Sequence, residues 1–224
     1  MAPQVIPVIH YQDHGQALRN ADLAFDAGAS GVFLIEMDGI SDPLPAVALT
    51  IKHRWPSRLV GINFLGVEPE EAVRWNIECG VDMTWTDAQL THSSGDRLEQ
   101  GQHIRDHLLE CPTHLFFSGV AFKHQRHEPD PIAAARLAVK MGFIPTTSGT
   151  ATGIAADTNK VEQLHAGLGR EMPLAIASGV TPDNVVQYAP YLSHILVATG
   201  VSSSFHELDR VLLGQLITRV KSLG

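Results

Sequence analysis

Cysteine is scarce in this chain of 224 residues: Cys79 and Cys111 are the only two, and they form no CxxC pair. That excludes a disulfide scaffold, and reduced thiols in the cytoplasm are the simplest expectation. Basic residues are also few, 16 Lys+Arg against 24 Asp+Glu, for a formal net charge of −8. The balance argues against nucleic acid or an anionic membrane as the main partner. No apolar run approaches the roughly 18 residues that a membrane span requires. Residues 1–7 lack the basic and apolar regions of a signal peptide. No GxGxxG follows the first apolar run, which counts against an open dinucleotide-binding sheet, and no HExxH appears. Hydrophobic residues nevertheless make up 44% of the chain, enough to fill the core of one large domain.

Eight short apolar, β-rich runs recur at 5–10, 31–36, 59–64, 81–85, 114–119, 142–147, 173–178 and 195–198. Their steps of roughly 20–35 residues match one βα unit. Between them lie helical patterns, such as Leu18, Ala21 and Phe25, with apolar residues three or four apart. Gly28, Gly80 and Gly142 stand where a helix hands over to the next run, in the left-handed conformation that stops a helix. Strands alternating with helices force a parallel sheet, and eight units close into a barrel. The expectation is α/β: a single (β/α)8 TIM barrel spanning residues 1–224, with eight parallel strands and no linker or second domain.

Such a barrel carries its chemistry at the C-terminal ends of its strands. The seventh run ends at Ser178-Gly179 and the eighth at Thr199-Gly200-Val201-Ser202. Glycines there let backbone amides approach a ligand unobstructed, and a short helix opening after Gly200 would aim free N–H groups at an anion. Ser178, Gly179, Thr199, Gly200, Val201 and Ser202 are therefore the candidate phosphate site. Tight turns alone would also account for both glycines.

Several motifs, taken in order, resemble the BtpA/SgcQ family of barrels. They are Val8-Ile9-His10, Gly61-Ile62-Asn63, Phe122-Lys123-His124, the stretch 147–153, 178–185 and Thr199-Gly200. The resemblance covers most of the chain. It departs at the opening, which lacks that family's Pro-rich loop, and at Glu36-Met37-Asp38-Gly39, where the family tends to have Glu-Asn. It implies a barrel with a site at its mouth. More distantly, the strand ends are similar to phosphate-binding barrels such as phosphoribosylanthranilate isomerase.

Glu36 and Asp38 close the second run, and two carboxylates there could divide acid and base roles; Asp38-Gly39 also reads as a plain turn. Lys123, one of five lysines, could form a Schiff base, polarise an oxygen or hold a phosphate, with His124 as acid–base partner. His10 and Asn63 sit at strand ends, placed to orient substrate or to serve as hydrogen-bonded core groups. The loop 146–156 suits a lid, and Thr147, Ser148 and Gly149 at its start are candidates for holding substrate. His103 and His107 lie at i, i+4 but lack a third ligand at a defined spacing. No metal and no cofactor is expected. The leading expectation is a cytoplasmic enzyme acting on a small phosphorylated sugar or nucleotide-like metabolite by acid–base chemistry, as an isomerase, a lyase or a ribosyl-cleaving enzyme. Self-association into a homo-oligomer fits the class. The rival is a non-catalytic metabolite-binding barrel with a regulatory or assembly role.

Overall fold

The computed structural model describes residues 2–39 and 42–224. Its strands are β1 (Gln4–His10), β2 (Gly31–Ile35), β3 (Leu59–Asn63), β4 (Met83–Thr86), β5 (Leu115–Gly119), β6 (Ile144–Thr147), β7 (Ala175–Ala177) and β8 (His194–Val197). All pair in parallel, in sequence order, and β8 returns to β1 through Gln4↔His194 and Pro7↔Val197, which closes the barrel. Each strand ends within two residues of the run read from the sequence.

The helices α1 (His14–Asp26), α2 (Leu44–Arg54), α3 (Pro69–Glu78), α4 (Leu98–Glu110), α5 (Pro131–Lys140), α6 (Thr158–Leu168), α7 (Val185–Tyr188) and α8 (Arg210–Lys221) follow the strands in turn. Four of them open on an aspartate whose side chain accepts a backbone N–H of the first turn: Asp13, Asp130, Asp157 and Asp209. An N-cap of this kind satisfies donors that the helix itself leaves without partners. Gly28, Gly80 and Gly142 have positive φ at the helix ends where the sequence places them.

Strand alternation splits the core in two. One side chain of each pair faces the helices, where Val32, Leu34, Val60 and Ile62 meet Val47, Ile51 and Val73. The other faces the barrel axis, where Ile6, Phe33, Met83, Phe117 and Leu196 fill the interior. Phe33 stands edge-on to Phe117, with ring centroids 5.4 Å apart at 89°. Gly61 makes room for it: a Cβ there would lie 2.4 Å from the Phe33 ring. Above the packed interior, at the C-terminal ends of the strands, the barrel opens into a cavity.

Candidate active site at the barrel mouth

A cavity of about 250 Å³ lies over the C-terminal ends of the strands. That is just below the roughly 300 Å³ at which pockets for drug-sized ligands begin, so it suits a small metabolite. Val8, Ile35, Trp85, Ala177 and Leu196, the top of the interior core, form its floor and walls. His10, Asp87, Lys123, His124, Thr152 and the loop ends Ser178-Gly179 and Thr199-Gly200 supply its polar groups.

Asp87 follows β4 and continues the inward alternation of Met83 and Trp85. Its Oδ1 is shut off from solvent with no hydrogen-bond partner. Burial raises its pKa, while Lys123 and His124 pull it back down. A carboxyl of this kind can exchange a proton nearer neutrality than an exposed aspartate can. Asp87 is not among the acid–base candidates that the sequence offers. The available signal was its two-residue step beyond Trp85.

Lys123 reaches across the mouth from the β5 loop, its Nζ donating to Thr152 Oγ1 at 3.2 Å. Its backbone N–H donates to Ser148 Oγ at 2.8 Å. The same hydroxyl donates to the Gly149 carbonyl at 3.0 Å. Ser148 is thus buried beneath the site and holds Lys123 rather than lining the cavity. Thr147 is buried too, its Oγ1 without a partner, and Gly149 packs against the Ile154 carbonyl. Within the 146–156 loop only Thr152 and Gly153 line the cavity.

His10 Nδ1 meets the Phe205 carbonyl at 2.9 Å, so this nitrogen carries the proton and Nε2 keeps its lone pair. The two rings stack at 4.3 Å, and burial lowers the histidine pKa. The loop that carries Phe205 is fixed from α1, where Asn20 Nδ2 donates to the His206 carbonyl and Asn20 Oδ1 accepts the Leu208 N–H. Asn63 is buried at the end of β3, its Nδ2 without an acceptor, and does not line the cavity.

Neither Glu36 nor Asp38 lines the cavity; Met37 between them does. Glu36 is buried and its Oε1 accepts the Asp38 N–H at 2.9 Å, which shapes the turn after β2, and Asp38 is exposed.

Of the proposed phosphate residues, Ser178, Gly179, Thr199 and Gly200 line the cavity, and β7 and β8 bring the two pairs side by side. Val201 and Ser202 do not. The Val201 N–H donates to Ala198 O at 2.9 Å and the Ser202 N–H to Thr199 O at 3.5 Å, closing a single 3-10 turn over Thr199–Val201. The N–H groups of Thr199 and Gly200, which open that turn, stay free of such bonds.

Backbone strain concentrates here. Among the described residues four non-glycine residues have positive φ, and three belong to the loops of this mouth: Ala121 (46°), His124 (63°) and Ser178 (118°). Conformations of this kind cost about 1–3 kcal/mol each and cluster where function needs a fixed side chain. Lys160 on α6 offsets part of that cost by donating to Ala121 O at 2.6 Å and Ser148 O at 3.0 Å. Among the described residues no group of three or more His, Cys, Asp or Glu is disposed to hold a metal ion, and no helix is long and apolar enough to cross a membrane.

No family model matches the chain, and no curated protein matches it. Solved structures do. Phosphoribosyl anthranilate isomerase from Thermus thermophilus is 16% identical with a TM-score of 0.67, over 99% of this chain and 100% of that one. The 3-keto-L-gulonate-6-phosphate decarboxylase from Vibrio cholerae is 11% identical with a TM-score of 0.69, over all of both chains. KGPDC from Streptococcus mutans is 7% identical with a TM-score of 0.73, over 98% of each. The likeness is one of fold: the chain is a single (β/α)8 barrel, the architecture of enzymes whose names carry phosphorylated substrates.

Proposed function

We propose that the protein is an enzyme that binds a small phosphorylated metabolite at the barrel mouth and moves a proton on it. The observation that carries this is Asp87: a carboxyl with a raised pKa and an unpartnered oxygen, in one cavity with Lys123 and His124. Asp87 takes or returns the proton, and Lys123 stabilises the negative charge that develops on the substrate oxygen. His10, whose Nε2 keeps its lone pair, and His124 complete the acid–base set. The phosphate is held by the amides of Gly179, Thr199 and Gly200 and by the Ser178 hydroxyl, at the loops where this fold repeatedly binds phosphate. With a net charge of −8 the attraction comes from these local donors and from Lys123, not from a general basic field. Val201 and Ser202 support that turn from behind, and Glu36 and Asp38 set Met37 into the mouth. Isomerisation, lyase cleavage and ribosyl cleavage can each draw on groups of this kind. The order of the motifs shared with the BtpA/SgcQ barrels supports placing the chain near that family, and the two unpaired cysteines support a cytoplasmic setting.

The test is a mass-spectrometric screen of phosphorylated metabolites with and without the protein, beside calorimetry with inorganic phosphate. Turnover of a phosphorylated compound that Asp87→Asn abolishes supports the enzyme reading. Phosphate-competitive binding with no turnover selects the regulatory barrel instead. An absence of any phosphate binding ends both.

A further inference from the structure

The cavity has two unlike halves. The β5, β7 and β8 side carries Lys123, His124, Ser178 and the glycine turns, whereas the β1 to β4 side presents Val8, Ile35, Met37, Leu65 and Trp85, with His10 and Asp87 as its two polar groups. Those five side chains adjoin along consecutive strand ends and offer an incoming ligand an apolar wall. A bare sugar phosphate carries a hydroxyl on nearly every carbon. Pressed against this wall, hydroxyls beyond the reach of His10 and Asp87 lose water and find no partner, which is unfavourable.

The wall is also aromatic and fixed. The Trp85 ring is held edge-on by Phe33 at 5.8 Å and 64° and by Phe122 at 6.4 Å and 71°, so its plane is set before any ligand arrives. The rim holds a second aromatic pair, His10 stacked on Phe205, and Phe205 is 55% exposed. Met37, also exposed, adds an adaptable thioether to the lining of the same cavity, a group that packs well against ring edges.

We infer that the metabolite taken by this site bears a planar aromatic or heteroaromatic ring in addition to its phosphate, with the ring lying on the wall of Trp85, Met37 and Leu65. This rests on the phosphate reading above and narrows it to aryl or heteroaryl phosphates. The ring keeps to the β1–β4 side and the phosphate to the β7–β8 side, so the bond between them lies under Lys123 and Asp87. Aromatic surface against Trp85 gains both burial and ring–ring geometry that a sugar cannot.

Tryptophan emission tests this, because Trp55, Trp75 and Trp85 are the only tryptophans and only Trp85 lines the cavity. In a Trp55→Phe, Trp75→Phe background, phenyl phosphate, ribose 5-phosphate, inorganic phosphate and phenol are titrated and followed by emission and calorimetry. Phenyl phosphate is expected to bind at least about tenfold more tightly than ribose 5-phosphate and to change Trp85 emission. Leu65→Asn should weaken phenyl phosphate more than it weakens inorganic phosphate. Should the double substitution fail to fold, the wild-type chain and Trp85→Phe give the same comparison by calorimetry. Ribose 5-phosphate binding as tightly as phenyl phosphate overturns the inference and leaves the phosphate reading standing. Phenol binding at Trp85 with no response to any phosphate keeps the aromatic wall and overturns the phosphate reading instead. No response to any of the four overturns both.

Discussion

Gly200 stands so close to Val180 that a Cβ on it would lie 1.9 Å from the Val180 carbonyl oxygen. The constraint is one of space rather than of backbone conformation, since Gly200 is not among the residues with positive φ. It locks the ends of β7 and β8 together and so fixes the amide-lined side of the cavity. Gly200→Ala is expected to destabilise the protein by about 1–3 kcal/mol through overpacking. Urea denaturation midpoints of the two proteins measure this. Unchanged midpoints would show that the two turns have slack. Because Gly200→Asp would carry the same clash, the anion site is better probed at Thr199 or Ser178, where a side chain already exists.

Asp87 should govern the acid limb of catalysis. A base must be deprotonated to act, and burial makes Asp87 take up its proton at a higher pH than an exposed carboxylate. On acidification kcat/KM is therefore expected to fall at a higher pH than an exposed aspartate would give. Asp87→Asn should remove that limb with a loss of about 10²–10⁴-fold. Persistence of the limb in Asp87→Asn would move the base to another carboxyl, with Glu36→Gln and Asp38→Asn the next substitutions.

Stability should decline in mild acid through His194. This side chain is buried at the start of β8 against Phe117, and burial lowers its pKa from the usual 6.5 to about 4. Between those values the unfolded chain binds a proton that the folded chain refuses. The stability it contributes is complete above 6.5 and is lost as pH falls toward 4, by about 3 kcal/mol at most. His114 adds to the same direction. Its burial likewise lowers its pKa, with Nδ1 donating to Val81 O and Nε2 bonded to Thr84. Denaturation midpoints at pH 7, 5 and 4 should converge less steeply in His194→Gln; parallel curves for the two proteins would assign the acid sensitivity elsewhere.

Lys160 never meets the cavity, yet its loss should reach it. It ties α6 to the carbonyls of Ala121 and Ser148, next to the strained His124 and to the hydroxyl that holds Lys123. Lys160→Met keeps the side-chain length and removes both bonds. The expected cost is about 1–3 kcal/mol, together with weaker phosphate affinity, read by thermal denaturation and calorimetry. A stability loss with affinity unchanged would show that the β5 and β6 loops hold their shape without it.

The sequence by itself determined the barrel. Eight apolar runs at βα spacing, with glycines such as Gly28 and Gly142 between helix and strand, admit one parallel closed arrangement, because local periodicity and turn chemistry are short-range properties. It also determined where to look, since strand ends carry chemistry in this fold, and four of the six candidate phosphate residues do line the cavity. Only the tertiary structure decided which neighbour at each strand end faces the mouth. A shift of one residue in a strand reverses the facing of every side chain. That is why Met37 enters the cavity while Glu36 and Asp38 do not, and why Asp87, two residues beyond Trp85, does. Burial decided the rest. The raised pKa of Asp87, the place of Ser148 beneath Lys123 and the closure of the Val201 and Ser202 amides onto their own turn arise from contacts between residues far apart in the chain or from the local fold of one turn, neither of which composition or spacing encodes.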